Sequence, residues 1–530
     1  MYDLIDEPWI LAQSASGEEE LSLRETFRRA PELVGLGGDV PTQGFAILRV
    51  LLAICHHAIG WHTPDDLAEL HAEGVDLARV DACLDEWRDR FDLFHPERPF
   101  MQVPDLRTAK GEHSGLEKII ADVPNGQQFF TTRAGRGLET ITAAEAARWL
   151  VHTQAFDPSG IRSGAVGDEL TKGGKGYPTG PAWAGHLGGV VLHGKDLAET
   201  LRLNIVATPR SSADLPVWAL PERQTERRSE QAIAAGPVQL LVWQSRRIRL
   251  VGDRAGVHGV VLAQGDKLTP QNMGRLEAMS GWRYSKPQSK KAGTTVYMPN
   301  KHEPGRALWR GLPALVAPGV EKVEDSGTHD RFRAPATLRE LEATDDDDMV
   351  VIQTIGINYG AQEAVIDEIV DDRMSLQASL VSEEALPVRE MLTDAVNNAD
   401  RCVRALGQLA ANLARAAGEK GDSAGEGARQ RASEEGWAAL DQPARRWVRT
   451  LTAESDVQEA QREWQGTVEA IVTGVSRRLV AAAGPASTRG RETSFGFMSV
   501  PVAQMRFTRS IREELSLLHP TTRTKEVSAS

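Results

Sequence analysis

From Leu386 onward a single pattern holds. Val388, Met391, Leu392, Ala395, Ala399, Cys402, Val403, Leu406, Leu409, Ala410 and Leu413 recur three and four residues apart. At 3.6 residues per turn they form one stripe along about seven helical turns. A stripe of that length needs other helices to cover it, because most helical stability in a protein comes from packing an apolar face. The sequence that follows supplies them. Residues 418–427 are a Gly/Ser/acidic linker, and 429–451 predict a second helix, kinked or broken at Pro443, which lacks the amide a helix requires. Val457, Trp464, Val468, Ile471, Val472, Val475 and Leu479 mark a third helix, and 502–517 a fourth that Pro520 ends. The expectation for 381–530 is a four-helix bundle.

Residues 1–380 read differently. Helical spacing is expected over 42–62, 76–94, 116–120 and 143–153. Extended segments are expected at 4–10, anchored by Trp9, at 98–103, 189–192 and 201–206, with 240–243 and 247–251 as a hairpin. An acidic run, 344–348, reads as an exposed turn, and the strand 349–355 leads into a Gly-bounded turn that carries Gln362 at its polar tip. The fold class is therefore α+β: a large mixed α/β N-terminal domain, 1–380, followed by a C-terminal four-helix bundle, 381–530. A chain of 530 residues has room for two to four domains at roughly 100–200 residues each.

Two stretches invite a functional reading. The first, 129–189, carries Gly160, Gly164, Gly167, Gly173, Gly174, Gly176 and Gly180 together with Arg133, Arg136, Arg162, Lys172 and Lys175. Bare backbone beside cations suits an anionic partner; a mobile, solvated insertion is the competing reading. The second, 275–310, sets eight cations, among them Arg283, Lys286, Lys290 and Lys291, against Glu277 and Glu303, with Trp282, Tyr284, Tyr297 and Trp309 interleaved. Cations neutralise phosphate and flat rings stack on bases, although a solvated basic face has the same composition.

Other chemistries are excluded or disfavoured. A net charge of -13 argues against a protein that coats nucleic acid indiscriminately. Three cysteines without paired spacing give no disulfide framework and no four-thiolate zinc site. Cys55, His56, His57 and His62 suggest a metal, but His57 and His62 are five apart and face different ways on a helix, so none is expected there. His329-Asp330 is a lone pair, and no phosphate loop, HExxH, nucleophile elbow or dinucleotide fingerprint occurs. The reading is a protein that is not an enzyme and needs no cofactor. The N-terminus shows no export signal and no apolar run reaches the ~18–20 residues of a membrane span, so a cytoplasmic setting is expected.

Leu4-Ile5-Asp6-Glu7-Pro8-Trp9-Ile10, Arg98-Pro99-Phe100-Met101-Gln102-Val103, Leu241-Val242-Trp243-Gln244, the glycine-rich loop and the helical C-terminus resemble, in that order, the CasA family. Its members are large subunits of the type I-E CRISPR surveillance complex, Cascade. The resemblance implies a non-catalytic subunit that works with crRNA and the other Cascade subunits. It reads the protospacer-adjacent motif of double-stranded target DNA through the minor groove, starts strand separation and receives a helicase-nuclease. Carried over residue by residue, Phe129, Phe130, Thr131, Thr132 and Arg133 take the place of the loop near the crRNA 5′ end. Thr131 and Thr132 stand where the family has Val-Asn. Ser159, Gly160, Ile161, Arg162 and Ser163 fall on the glycine loop that packs against the minor groove. Gln362 matches the wedge glutamine, with Ala361 where asparagine is common. The groove-reading lysine is assigned to Lys267, with Lys286 and Lys290 as rivals. The cysteine cluster that some relatives carry before that lysine is missing, so zinc is not implied. Two other classes remain open on the residues alone: a nucleic-acid-processing enzyme with an unrecognised metal site, and a helical adaptor that never touches DNA.

Overall fold

The computed structural model describes residues 1–123, 139–221, 224–228, 232–317, 331–343, 349–421 and 423–520. The chain divides into two compact units, one comprising Met1–Arg306, Ala317–Asp345 and Val350–Arg373, the other Ala307–Val316, Asp346–Met349 and Met374–Ser530.

The first unit is built around α1 (Pro41–Ala58), which is buried continuously from Thr42 to His56. A helix that is apolar on every side belongs in the middle of a core. It packs on α2 (Ala143–Phe156), whose N-cap Thr142 accepts from the Glu145 amide. Trp9 is fully buried and its indole N–H donates to the Leu4 carbonyl. Residues 4–6 form a turn to make that bond, so the segment expected to be extended is folded back on itself. A three-stranded sheet orders β1 (Gly189–His193), β4 (Met349–Tyr359) and β5 (Ile366–Gln377) with β4 in the centre. Its β1–β4 pairing is antiparallel, running from Val351 opposite His193 to Ile355 opposite Gly189. A separate hairpin joins β2 (Arg246–Asp253) to β3 (Gly256–Gln264).

Three further segments differ from expectation. Residues 98–103 are turns rather than a strand, because Pro99 and Pro104 lack ladder donors; the Gln102 side chain instead bridges the Leu93 carbonyl and the Leu250 amide. Residues 201–206 alternate like a strand, yet Leu197–Asn204 is a helix, started by Asp196 accepting from the Glu199 amide at 2.8 Å. Leu240 and Leu241 end a short helix, Pro237–Leu241, with Pro at its start, and Val242 and Trp243 lead out of it. The hairpin partner of β2 is therefore β3, not 240–243. The acidic run 344–348 and His329-Asp330 lie outside the described residues.

The second unit is helical: α3 (Leu386–Ala417), α4 (Glu426–Arg449), α5 (Val457–Ala481) and α6 (Val500–Glu514). The α3 stripe is buried along its length and meets α4, α5 and α6. Helix α4 runs through Pro443 without interruption, held on both sides by buried Leu440 and Ala444. Trp464 anchors the packing: its ring stacks on Trp447 at 4.9 Å, meets Trp309 edge-on at 5.7 Å, and its N–H donates to the Ala395 carbonyl.

Candidate nucleic-acid interface

Strand β4 leaves the sheet at Tyr359 and the chain reverses within five residues, closed by the Gly360 amide donating to the Val365 carbonyl at 2.9 Å. Gln362 and Glu363 both take φ of +56°. That left-handed conformation costs a residue with a Cβ roughly 1–2 kcal/mol, so two in succession need support. It comes from the Glu363 amide on the Gly360 carbonyl, the Ala364 amide on the Ala361 carbonyl, and the Ser159 amide on the Glu363 carbonyl at 2.8 Å. Ala361, Gln362 and Glu363 are all exposed. Beneath them Tyr359 is buried and donates to the Phe156 carbonyl at the end of α2. Burial raises its phenol pKa well above the usual value.

The Ser159–Glu363 bond brings two of the predicted site segments together. Ser159 is buried, and the Gly160 carbonyl accepts from Gln264 at the end of β3. Ile161 is exposed, whereas Arg162 turns inward onto Asp157 at 2.8 Å. Asp157 is shared: Arg246, from the start of β2, binds it at 2.5 Å and also donates to the carbonyls of Pro158 and Gly180. Ser163 pairs with Lys175 in a two-stranded ribbon, Arg162–Ser163 with Lys175–Gly176. A Cβ at Gly164 would lie 2.8 Å from the Gly174 backbone, which is why that position takes no side chain. Buried Asp168 ties the far side of the ribbon to Arg227 at 2.7 Å. The described part of the glycine-rich stretch is thus a pinned hairpin and not a loose insertion.

Lys267 is exposed three residues beyond Gln264, the residue that holds Gly160. Burial pulls the His186 pKa down to about 4, and the charges of Lys301, Arg246 and Lys267 push it the same way. Lys286 and Lys290 are exposed on the short helix Lys286–Ala292, and no described contact joins them to Ser159–Ser163 or Gln362. The interleaved aromatics are not a stacking platform: Trp282, Tyr297 and Trp309 are buried, and Trp309 belongs to the other unit. Glu277 is buried as well, gripped by Arg49 at 2.9 Å and by the Trp183 indole at 2.7 Å. Phe129, Phe130, Thr131, Thr132 and Arg133 lie outside the described residues.

Sequence reasoning missed Asp157, Arg246 and Glu363, and counted Lys301 only as one of the eight cations of 275–310. Lys301 reaches Glu363 at 3.4 Å and stands 5.6 Å from the centre of the Tyr359 ring. The signal for Arg246 and its partner was the pair of adjacent arginines, Arg246-Arg247, opening a strand that continues through Ile248, Leu250 and Val251. Cations at such positions need buried carboxylates, here Asp157 and Asp266.

The sequence model for CRISPR-associated protein Cse1 matches residues 3–475. The chain belongs to the CRISPR-associated Cse1 family. The crystal structure of Thermobifida fusca Cse1 is 42% identical and superposes with a TM-score of 0.87 over 97% of this chain and 98% of that one. The curated CasA/Cse1 protein of Thermus thermophilus is 27% identical over 428 residues, 78% of each chain. A chain of a CRISPR RNA-guided surveillance complex, 19% identical, shares the fold with a TM-score of 0.68 over 90% of this chain and 98% of its own. The mixed α/β unit and the helical C-terminal region are therefore features of the family fold.

Proposed function

We propose that this family member is a non-catalytic subunit of a crRNA-guided DNA surveillance complex. It recognises the protospacer-adjacent motif of duplex DNA from the minor groove, begins strand separation with Gln362, and receives the helicase-nuclease once the target is open. One observation carries the reading: the Ser159 amide bonded to the Glu363 carbonyl, which joins the glycine loop and the exposed Gln362 turn into one rigid edge.

Physical chemistry supports the reading of the motif and the parting of the strands. The minor groove offers a degenerate donor and acceptor code, which backbone and a lysine can read while tolerating several motifs. A side chain inserted at a base step must offset an unstacking cost of a few kcal/mol, and a turn already held in its working conformation loses little freedom when it enters. Lys301 supplies a cation at that edge, paired with Glu363, and Lys267 is exposed just beyond Gln264, which holds Gly160. Identity beyond the motif is left to RNA–DNA pairing.

The test is duplex binding by the crRNA-loaded assembly with and without this chain, over a range of salt. Motif-dependent binding that disappears without the chain supports the proposal. Unchanged discrimination in its absence overturns it. Shortening the Gly164–Gly176 ribbon is expected to impair binding while leaving the melting of the helical unit in place.

A further inference from the structure

The Gln362 turn carries its own counter-ion. Glu363 follows Gln362 directly, is left-handed like it, and directs its carboxylate to the Lys301 ammonium at 3.4 Å. Both side chains are partly open to water, 38% for Lys301 and 47% for Glu363. An ion pair so exposed is weak and exchanges readily. Lys301 is also 5.6 Å from the Tyr359 ring centre, so it keeps a second support if the carboxylate lets go. The Glu363 backbone meanwhile stays fixed, because its carbonyl accepts from Ser159 and its amide donates to Gly360. The side chain is therefore free to change partner without moving the turn.

We propose that Glu363 is an internal counter-ion that occupies Lys301 until a phosphodiester of the target duplex displaces it. Glu363 then lowers the affinity for every duplex, so that only one with the added contact of Gln362 stays bound, and Lys301 is the cation it withholds. A duplex that does not let Gln362 enter leaves Lys301 neutralised by Glu363. A duplex that does brings a phosphate to Lys301, and the carboxylate swings to solvent. The reasoning is electrostatic: a carboxylate beside an anion-binding lysine repels the backbone of every duplex equally, and only an added favourable contact overcomes it. The inference rests on the proposed DNA-reading function of the same edge.

The experiment measures the affinity of the crRNA-loaded assembly for motif-bearing and motif-free duplexes across a salt series, with Glu363→Gln, Lys301→Gln and the double substitution. Glu363→Gln keeps the shape of the side chain and leaves both backbone bonds of the turn. It is expected to tighten motif-free and motif-bearing binding by a similar factor, about two- to fivefold, the range an exposed ion pair allows, so that more motif-free duplex is held at a given concentration. Lys301→Gln should lower the slope of log affinity against log salt by about 0.9, one phosphate contact. In the double variant the effect of Glu363→Gln should vanish. Unchanged motif-free binding in Glu363→Gln, or the same gain with Lys301 removed, overturns the inference. So does a loss of binding to both duplexes, which would mean that the pair only braces the turn. If the wild-type assembly does not distinguish the two duplexes at all, the proposed function itself falls, and that result is read before any variant is made.

Discussion

Asp157 is the point at which the Ser159–Glu363 edge is tied to the core, and its replacement gives the sharpest structural prediction. The carboxylate is 2% exposed and holds two guanidinium groups, Arg246 at 2.5 Å and Arg162 at 2.8 Å, whose side chains are 2% and 11% exposed. Asp157→Asn keeps the shape and removes the charge, leaving two buried cations facing each other. Breaking a buried pair by removing one partner costs about 3–5 kcal/mol, and here one loss orphans two arginines. Arg162→Ala is milder. It leaves Asp157 with Arg246 as a neutral pair and forfeits one charge-assisted interaction, about 1.5–3 kcal/mol. The assay is urea unfolding of the purified chain, with amide exchange at Ser159 as the local readout, because that amide is bonded to the Glu363 carbonyl. Asp157→Asn should be the more destabilising change and should speed Ser159 exchange at urea concentrations where the helical unit stays folded. If Arg162→Ala costs more than Asp157→Asn, or if Asp157→Asn falls within about 1 kcal/mol of wild type, the carboxylate is not the keystone described.

Other consequences are independent of that one. Trp464→Ala should destabilise the helical unit by about 3–5 kcal/mol, since the ring is fully buried against Trp447 and Trp309; a change below 1 kcal/mol in its unfolding transition would contradict the packing. Burial holds His56 and His186 at about 4 and His152 at about 3, all below the ordinary 6.5. The folded state therefore keeps them neutral while the unfolded chain takes up protons, so stability present above pH 6.5 is lost as pH falls toward 4, at up to about 1.4 kcal/mol per unit for each imidazole. Chemical denaturation at a series of pH values checks the sign, and a flat profile would refute it. Lys267→Ala should weaken motif binding more than Lys286→Ala or Lys290→Ala, because only Lys267 follows the residue that holds Gly160; equal losses in a salt-controlled binding assay would remove that distinction.

The long elements were legible because period and length agreed. The 386–413 stripe and the buried run of Pro41–Ala58 leave no other way to hide so many apolar side chains. The misread segments are short and were settled by single residues: Asp196 capping a helix that looks like a strand, Pro237 opening another, Pro99 and Pro104 cancelling a ladder. At the site, Gln362 was legible as the tip of a Gly-bounded turn, but its conformation was not. A left-handed pair without glycine is imposed by contacts from Ser159 and Gly360, the former about 200 residues away. The basic stretch misled for a similar reason. Alternating aromatics and cations look the same in sequence whether the rings face bases or a core, and here Trp282 and Tyr297 face the core. Asp157 and Glu277 gave no sign at all, since a buried carboxylate is recognised only by the arginine that meets it.

The most direct measurement places 2-aminopurine in the target strand next to the motif and follows its fluorescence as the crRNA-loaded assembly binds. With wild-type chain the signal should rise as the base unstacks. With Gln362→Ala the duplex should still be captured, seen as retained motif-dependent binding, but the rise should be small or slow. An equal rise with both proteins, or capture and opening lost in the same proportion, would contradict the claim that this turn parts the strands.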